Sequence, residues 1–149
     1  GITTFVAQNR GAGRKERIRK GFRRGLMLEA CYWVFICIAI TLFRRPLMGL
    51  FVTAGNEGIV ALGSSYLGLM ALFYVFPAFT NGIQGFFRGM GNMSVTLLGT
   101  FVQTSLRVVF VYLLTPGIGL MGVAYACAIG WSVMLLVEVP YYFWFMKDK

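Results

Sequence analysis

Leu26–Phe43 reads LMLEACYWVFICIAITLF, eighteen consecutive residues with one charge, Glu29. A helix of that length spans about 27 Å at its usual rise, close to the roughly 30 Å hydrocarbon core of a bilayer. Similar runs recur along the chain at 58–87, 93–114 and 120–146. Of 149 residues, 58% are hydrophobic and 13% charged, and mean hydropathy is +0.72. A soluble domain of this size has too little interior for so much apolar surface. The pattern predicts an all-α, polytopic bundle of transmembrane helices solvated by the lipid bilayer.

Outward from Leu26, Gly1–Gln8 is expected to be the last turns of a span whose beginning lies upstream, in a missing N-terminal portion of the same protein. Asn9 to Gly13 should break that helix, since Asn and Gly both accept the left-handed conformation. The stretch 10–24 is strongly basic. Ile18 and Phe22 fall one turn apart within it and point toward Leu26, so a surface helix with its apolar side in lipid should run into the span. Arg44-Arg45-Pro46 should close the span, leaving Leu47 to Thr53 at the interface. Asn56 and Glu57 supply a cap and an acid for the next helix. The segment 58–87 is about 45 Å long and must tilt, extend or kink. Pro77 supplies a kink by freeing the carbonyl of Phe73. Arg88 to Asn92 and Thr115-Pro116-Gly117 read as turns, and Lys147-Asp148-Lys149 follows the final span.

The net charge of +9 is concentrated between Arg10 and Arg24, in a short connector beside spans. That distribution follows the positive-inside rule and does not call for nucleic acid. With this loop in the cytoplasm, alternation places Arg88, Lys147 and Lys149 there as well, leaving Arg44 and Arg45 outside and Arg107 within the membrane. The expected location is therefore the cytoplasmic membrane, with the basic loop and C-terminus facing the cytoplasm.

Polar side chains inside a bilayer are costly and usually face a bundle interior or a water-filled cavity. Tyr74, Pro77, Asn81, Gln84 and Arg88 recur at helical spacing. Thr96, Thr100, Gln103 and Arg107 form a second stripe, and Trp131, Met134, Glu138 and Tyr142 a third. Taken singly, each residue reads as helix–helix glue. The three stripes together argue for a transport cavity. Glu138, set among aromatic side chains, is a candidate to exchange a proton as a cation arrives; the alternative is a pair with Arg107. Counting helical rise places Arg107 about 21 Å and Glu138 about 12 Å from the cytoplasmic end, so that pair needs both long side chains. Glu29 should be satisfied by Arg23 and Arg24. Ser64/Gly68, Gly85/Gly89 and Ala126/Gly130 carry the small-xxx-small spacing of close helix packing.

Enzymatic chemistry finds no footing. There is no His, and Cys31, Cys37 and Cys127 lie in separate apolar surroundings without metal-ligand spacing. Gly11–Gly13 followed by Arg14-Lys15 lacks the spacing of a phosphate-binding loop. No cofactor is expected.

TFVAQNRGAGRKERIRKG, Thr4–Gly21, resembles the stretch after the eighth helix of multidrug and toxic compound extrusion (MATE) transporters, through Gln8, Asn9, Gly11, Ala12, Gly13 and Arg17. GIQGFFRGMGN, Gly82–Asn92, resembles the turn after that family's tenth helix, through Arg88, Gly89 and Gly91. The span holding Arg107 with its Pro-Gly turn, then GLMGVAYACAIGW at Gly119–Trp131, resembles the eleventh and twelfth helices. The resemblance implies part of the C-terminal lobe of a twelve-helix, two-lobe antiporter. Such a protein is driven by Na⁺ or H⁺ and exports small amphipathic, often cationic, compounds. Family coupling carboxylates often lie on the first helix of a lobe, outside this sequence. Some members also use an acid in the tenth helix; the nearest polar candidate here is Asn81, which does not titrate. A lipid-linked sugar flippase of the same superfamily and a non-transporting membrane scaffold are the competing readings.

Overall fold

The computed structural model describes residues 1–53 and 55–148, and among them every regular element is an α-helix. Lys149, counted above among the cytoplasmic charges, lies outside the described residues. The helices are α1 (Ile2–Gly11), α2 (Lys15–Phe51), α3 (Glu57–Phe73), α4 (Val75–Gly89), α5 (Met93–Ile118) and α6 (Leu120–Lys147). Three are long and apolar enough to cross a bilayer, and a fourth crossing exists if α3 and α4, joined at a 40° bend, count as one span.

Several boundaries differ from those expected. The first helix, α1, ends at Gly11, inside the stretch Asn9–Gly13 expected to break it, but Asn9 itself stays helical. Its side-chain amide donates to the Phe5 carbonyl at 2.8 Å inside the helix, and the left-handed residue is Gly13, with φ of 67°. As expected, the basic stretch runs into the first span, the two forming one continuous helix. However, α2 does not close at Arg44-Arg45-Pro46 but runs on to Phe51, so Leu47–Phe51 is helical and continuous with the span. Neighbouring α3 supports the added turns: the side chains of Arg44 and Met48 lie against Gly68 and Gly63. Those glycines leave space where any other residue would place a Cβ. At the next helix, Asn56 caps through its backbone carbonyl, which accepts from Ile59 and Val60 at 3.1 Å each, and not through its side chain. Likewise α5 continues through Thr115-Pro116-Gly117, and the chain reverses at Gly119, whose φ of 75° suits only glycine.

The bend falls at Tyr74, three residues before Pro77. Proline lacks the amide that would bond the Phe73 carbonyl, so the turn around Tyr74 loses one rung and opens. The consequence is architectural. The bend lets α4 lean across the bundle, where it touches all five other helices and carries the most continuous run of buried residues, Gly82–Phe87.

Ile18 and Phe22 are not lipid-facing. Each is 3% exposed, inside a core formed with Val6, Ile83, Phe86, Phe87 and Phe145. Here α1 and α4 supply apolar surface that a single helix cannot show, so the basic helix docks on protein. Phe86 is the hub, its ring 5.1 Å from Phe22 and 4.8 Å from Tyr142. Such aromatic pairs add about 0.5–1.5 kcal/mol each beyond area burial. The small-residue faces act in packing, as expected. A Cβ on Gly89 would stand 2.7 Å from the Thr3 carbonyl oxygen, and one on Gly130 3.1 Å from that of Gln103.

Candidate functional site

The bend turns the polar stripe of α4 toward that of α6. Gln84 on α4 donates from Nε2 to Oε1 of Glu138 on α6 at 3.2 Å, with the Met134 sulfur 3.9 Å from the same nitrogen. Glu138 is 2% exposed. Gly99 of α5 completes the enclosure, because a Cβ there would lie 3.2 Å from Glu138 Oε1. Glu138 has no ion-pair partner among the described residues, and its second oxygen, Oε2, is buried without a hydrogen bond. The alternative pair with Arg107 is thus not formed. Arg107 is half-buried farther along α5.

Three other buried polar atoms lack hydrogen-bond partners: Thr80 Oγ1 on α4, one turn before Gln84, and Thr96 Oγ1 and Gln103 Nε2 on α5. Gln103 packs against Gly130, two turns of α6 from Glu138, so the polar interior extends about 12 Å along the helix. Native structures leave few such atoms unpaired, and each costs about 1–3 kcal/mol unless something answers it. The free oxygen of the Glu138 carboxyl group makes this a candidate site for a proton, an ion or bound water.

The predicted cavity residues do not form one surface. Gln84, Gln103 and Glu138 face the interior. Tyr74 and Asn81 are exposed and line a groove of about 670 Å³ against α2, with Trp33 and Glu29 on its far wall. The three-residue step from Asn81 to Gln84 rotates about 60° around the helix, enough to separate the two surfaces. Trp131 on α6 stands on the Tyr74 side, its ring 6.4 Å from that of Tyr74. Trp33 donates to the Ala71 carbonyl at 2.9 Å, fixing the groove wall. Glu29 is not satisfied by Arg23 and Arg24. Those side chains are exposed, and Glu29 Oε2 is buried without a partner beside Gly82.

At the basic end, the two loop motifs meet. Arg10 donates to the Met90 carbonyl across Gly91, which has φ of 77° and no side chain to obstruct the guanidinium. The amide of Asn92 closes the turn on the Phe87 carbonyl at 2.8 Å, and the Asn92 side chain donates to Tyr141 at 3.3 Å. Of the six residues that carry the first motif, only Asn9 is buried. Gln8, Gly11, Ala12, Gly13 and Arg17 are exposed, as is Arg88 in the second, whereas Gly89 is buried against α1. Sequence reasoning missed Arg10 as the clasp and Thr80 in the polar interior. Thr80 was legible as the residue one turn before Gln84.

A family model described as MatE matches residues 1–113. A Thermotoga maritima protein named "Probable multidrug resistance protein NorM" is 31% identical over 124 residues, which cover 81% of this chain and 26% of that protein. The chain therefore spans about a quarter of the length of this curated relative. No solved structure matches. With the match covering most of the sequence, and the loop and turn motifs clasped together as described, the chain belongs to the MatE family of membrane transporters.

Proposed function

We propose that the chain is part of the C-terminal lobe of an antiporter that uses a Na⁺ or H⁺ gradient to export amphipathic, often cationic, compounds across the cytoplasmic membrane. On this reading the basic connector and the C-terminus face the cytoplasm. The Gln84–Glu138 pair carries the proposal: a buried carboxyl group, one oxygen unpartnered, lies between helices of a membrane bundle. An intramembrane acid that is neither paired with a cation nor turned to a headgroup layer is a functional residue by default. The name of the Thermotoga maritima relative, a probable multidrug resistance protein, supports drugs as the cargo. Tyr74, Asn81 and Trp131 are the proposed contacts for an aromatic or cationic substrate, since such rings attract cations by their π faces.

Glu138 answers an ion or a charged substrate, and its affinity changes as the bend at Tyr74 moves α4 and Gln84. Dye efflux by the full-length transporter, with membrane abundance measured in parallel, tests this. Glu138→Gln should lower efflux at unchanged abundance. Wild-type efflux from that variant would make Glu138 a packing residue and remove the basis of the proposal.

A further inference from the structure

Beside α4, the N-terminal part of α2 and the C-terminal part of α6 make no close backbone approach to each other. They touch through side chains, Phe22 lying 4.9 Å from Tyr142 ring to ring. The groove between them has a volume of about 640 Å³. Its walls and floor are apolar, from Leu26 on α2, Ile83 on α4 and Phe143 on α6, and its rim carries Arg19, Arg23 and Lys147. Arg19 and Arg23 are one turn apart and so share a face of α2. Lys147 is the last residue of α6. All three are exposed, and none joins an ion pair among the described residues.

We propose that this groove binds an anionic phospholipid of the adjoining leaflet, with the phosphate held by Arg19, Arg23 and Lys147 and an acyl chain lying on Leu26, Ile83 and Phe143. The depth profile of α2 supports this. The helix is continuous from Lys15 to Phe51, its N-terminal cationic stretch ends at Arg24, and from Leu26 to Phe43 its one charged residue is Glu29. The three cations therefore stand at headgroup level and the apolar floor begins one turn deeper, the arrangement of charge over hydrocarbon that a phospholipid presents. A soluble acidic partner would match the rim but leave the floor unfilled. The acids nearest to these cations in the sequence are Asp148, beside Lys147, and Glu16, which is engaged by Lys20 at 2.8 Å. Neither neutralises the rim. The proposal rests on the basic connector lying at a membrane surface and is independent of which ion or substrate is transported.

The test is native mass spectrometry of the full-length transporter in detergent, titrated with phosphatidylglycerol and with phosphatidylcholine of identical chains. Phosphatidylglycerol should bind more tightly, and Arg19→Gln, Arg23→Gln and Lys147→Gln should each weaken it about fivefold. Lys147→Arg should restore binding. Arg45→Gln, at the other end of α2, should change nothing, and Val139→Trp, which fills the groove, should weaken binding with every cation in place. Equal affinity for the two lipids, or an equal loss in Arg45→Gln, would overturn the proposal. Displacement by millimolar inorganic phosphate would also overturn it, in favour of a simple anion site. So would undiminished binding by variants that lose thermal stability in lipid-free detergent, because another segment of the polypeptide would then occupy the groove.

Discussion

Glu138 and Gln84 lie 54 positions apart, and neither is unusual alone; together they form a buried hydrogen bond whose carboxyl group keeps a free oxygen. Interhelical hydrogen bonds in membranes average about 0.6 kcal/mol and reach about 1.7. A double-mutant cycle with Gln84→Ala and Glu138→Gln, read by SDS-induced unfolding of the full-length protein, should give a coupling in that range. Zero coupling would mean the two side chains do not meet. Glycine positions offer a second residue-scale test. In Gly89→Ala the new methyl meets the fixed Thr3 carbonyl of α1, so overpacking should destabilise by about 1–3 kcal/mol. Gly49, also helical, has open space around it, and Gly49→Ala should be neutral or stabilising by up to about 1 kcal/mol. Equal effects at the two positions would refute the packing of α1 on α4.

Among the elements, α2 and the α3–α4 pair show two fates of an internal proline. Pro46 sits inside α2 with no break, whereas Pro77 follows a 40° bend. The difference lies in what the neighbours offer. Arg44 and Met48 of α2 lie along the glycine face of α3, on either side of Pro46, so the helix is held on line there. Beyond Tyr74, by contrast, α4 finds a larger contact surface by leaning over α1, α2 and α6. An interior proline costs about 3 kcal/mol, so Pro46→Ala should raise the unfolding midpoint and slow amide exchange around Leu42. Pro77→Ala restores an amide that can reach the Phe73 carbonyl. Exchange at residues 74–78 should slow, and efflux by the full-length transporter should fall if the bend is a moving part. Unchanged exchange there would show that packing alone imposes the bend.

For the whole molecule, the outward faces of α2 and α5 are strongly apolar, with Leu28 72% and Phe101 71% exposed. Only lipid or further transporter helices can cover such surfaces. The 149-residue chain alone should therefore be extractable only with detergent. In vesicles it should show no ion-driven dye efflux, because alternating access needs two moving halves. Ion-driven efflux by this chain alone would contradict that. Topology has its own test in a cysteine-free background of the full-length protein. Arg14→Cys should react with an impermeant maleimide only after cells are opened, and Asn56→Cys should react in intact cells. The reverse pattern would invert the proposed orientation.

Hydropathy along the sequence determined the all-helical membrane class, and the small-residue spacings marked the close-packing faces. Both follow from short-range rules: a backbone in hydrocarbon must bond to itself, and side-chain size limits how near two helices come. Helix ends at Arg44-Arg45-Pro46 and Thr115-Pro116-Gly117 were misread because breaker residues act on local propensity, which neighbouring helices overrode. The partner of Glu138, the burial of Ile18 and Phe22 and the unpaired Glu29 were decided only in the tertiary structure. Each depends on which faces of distant helices meet, and that choice is made by the lean of α4 after Tyr74, a long-range packing outcome that spacing within one helix does not encode.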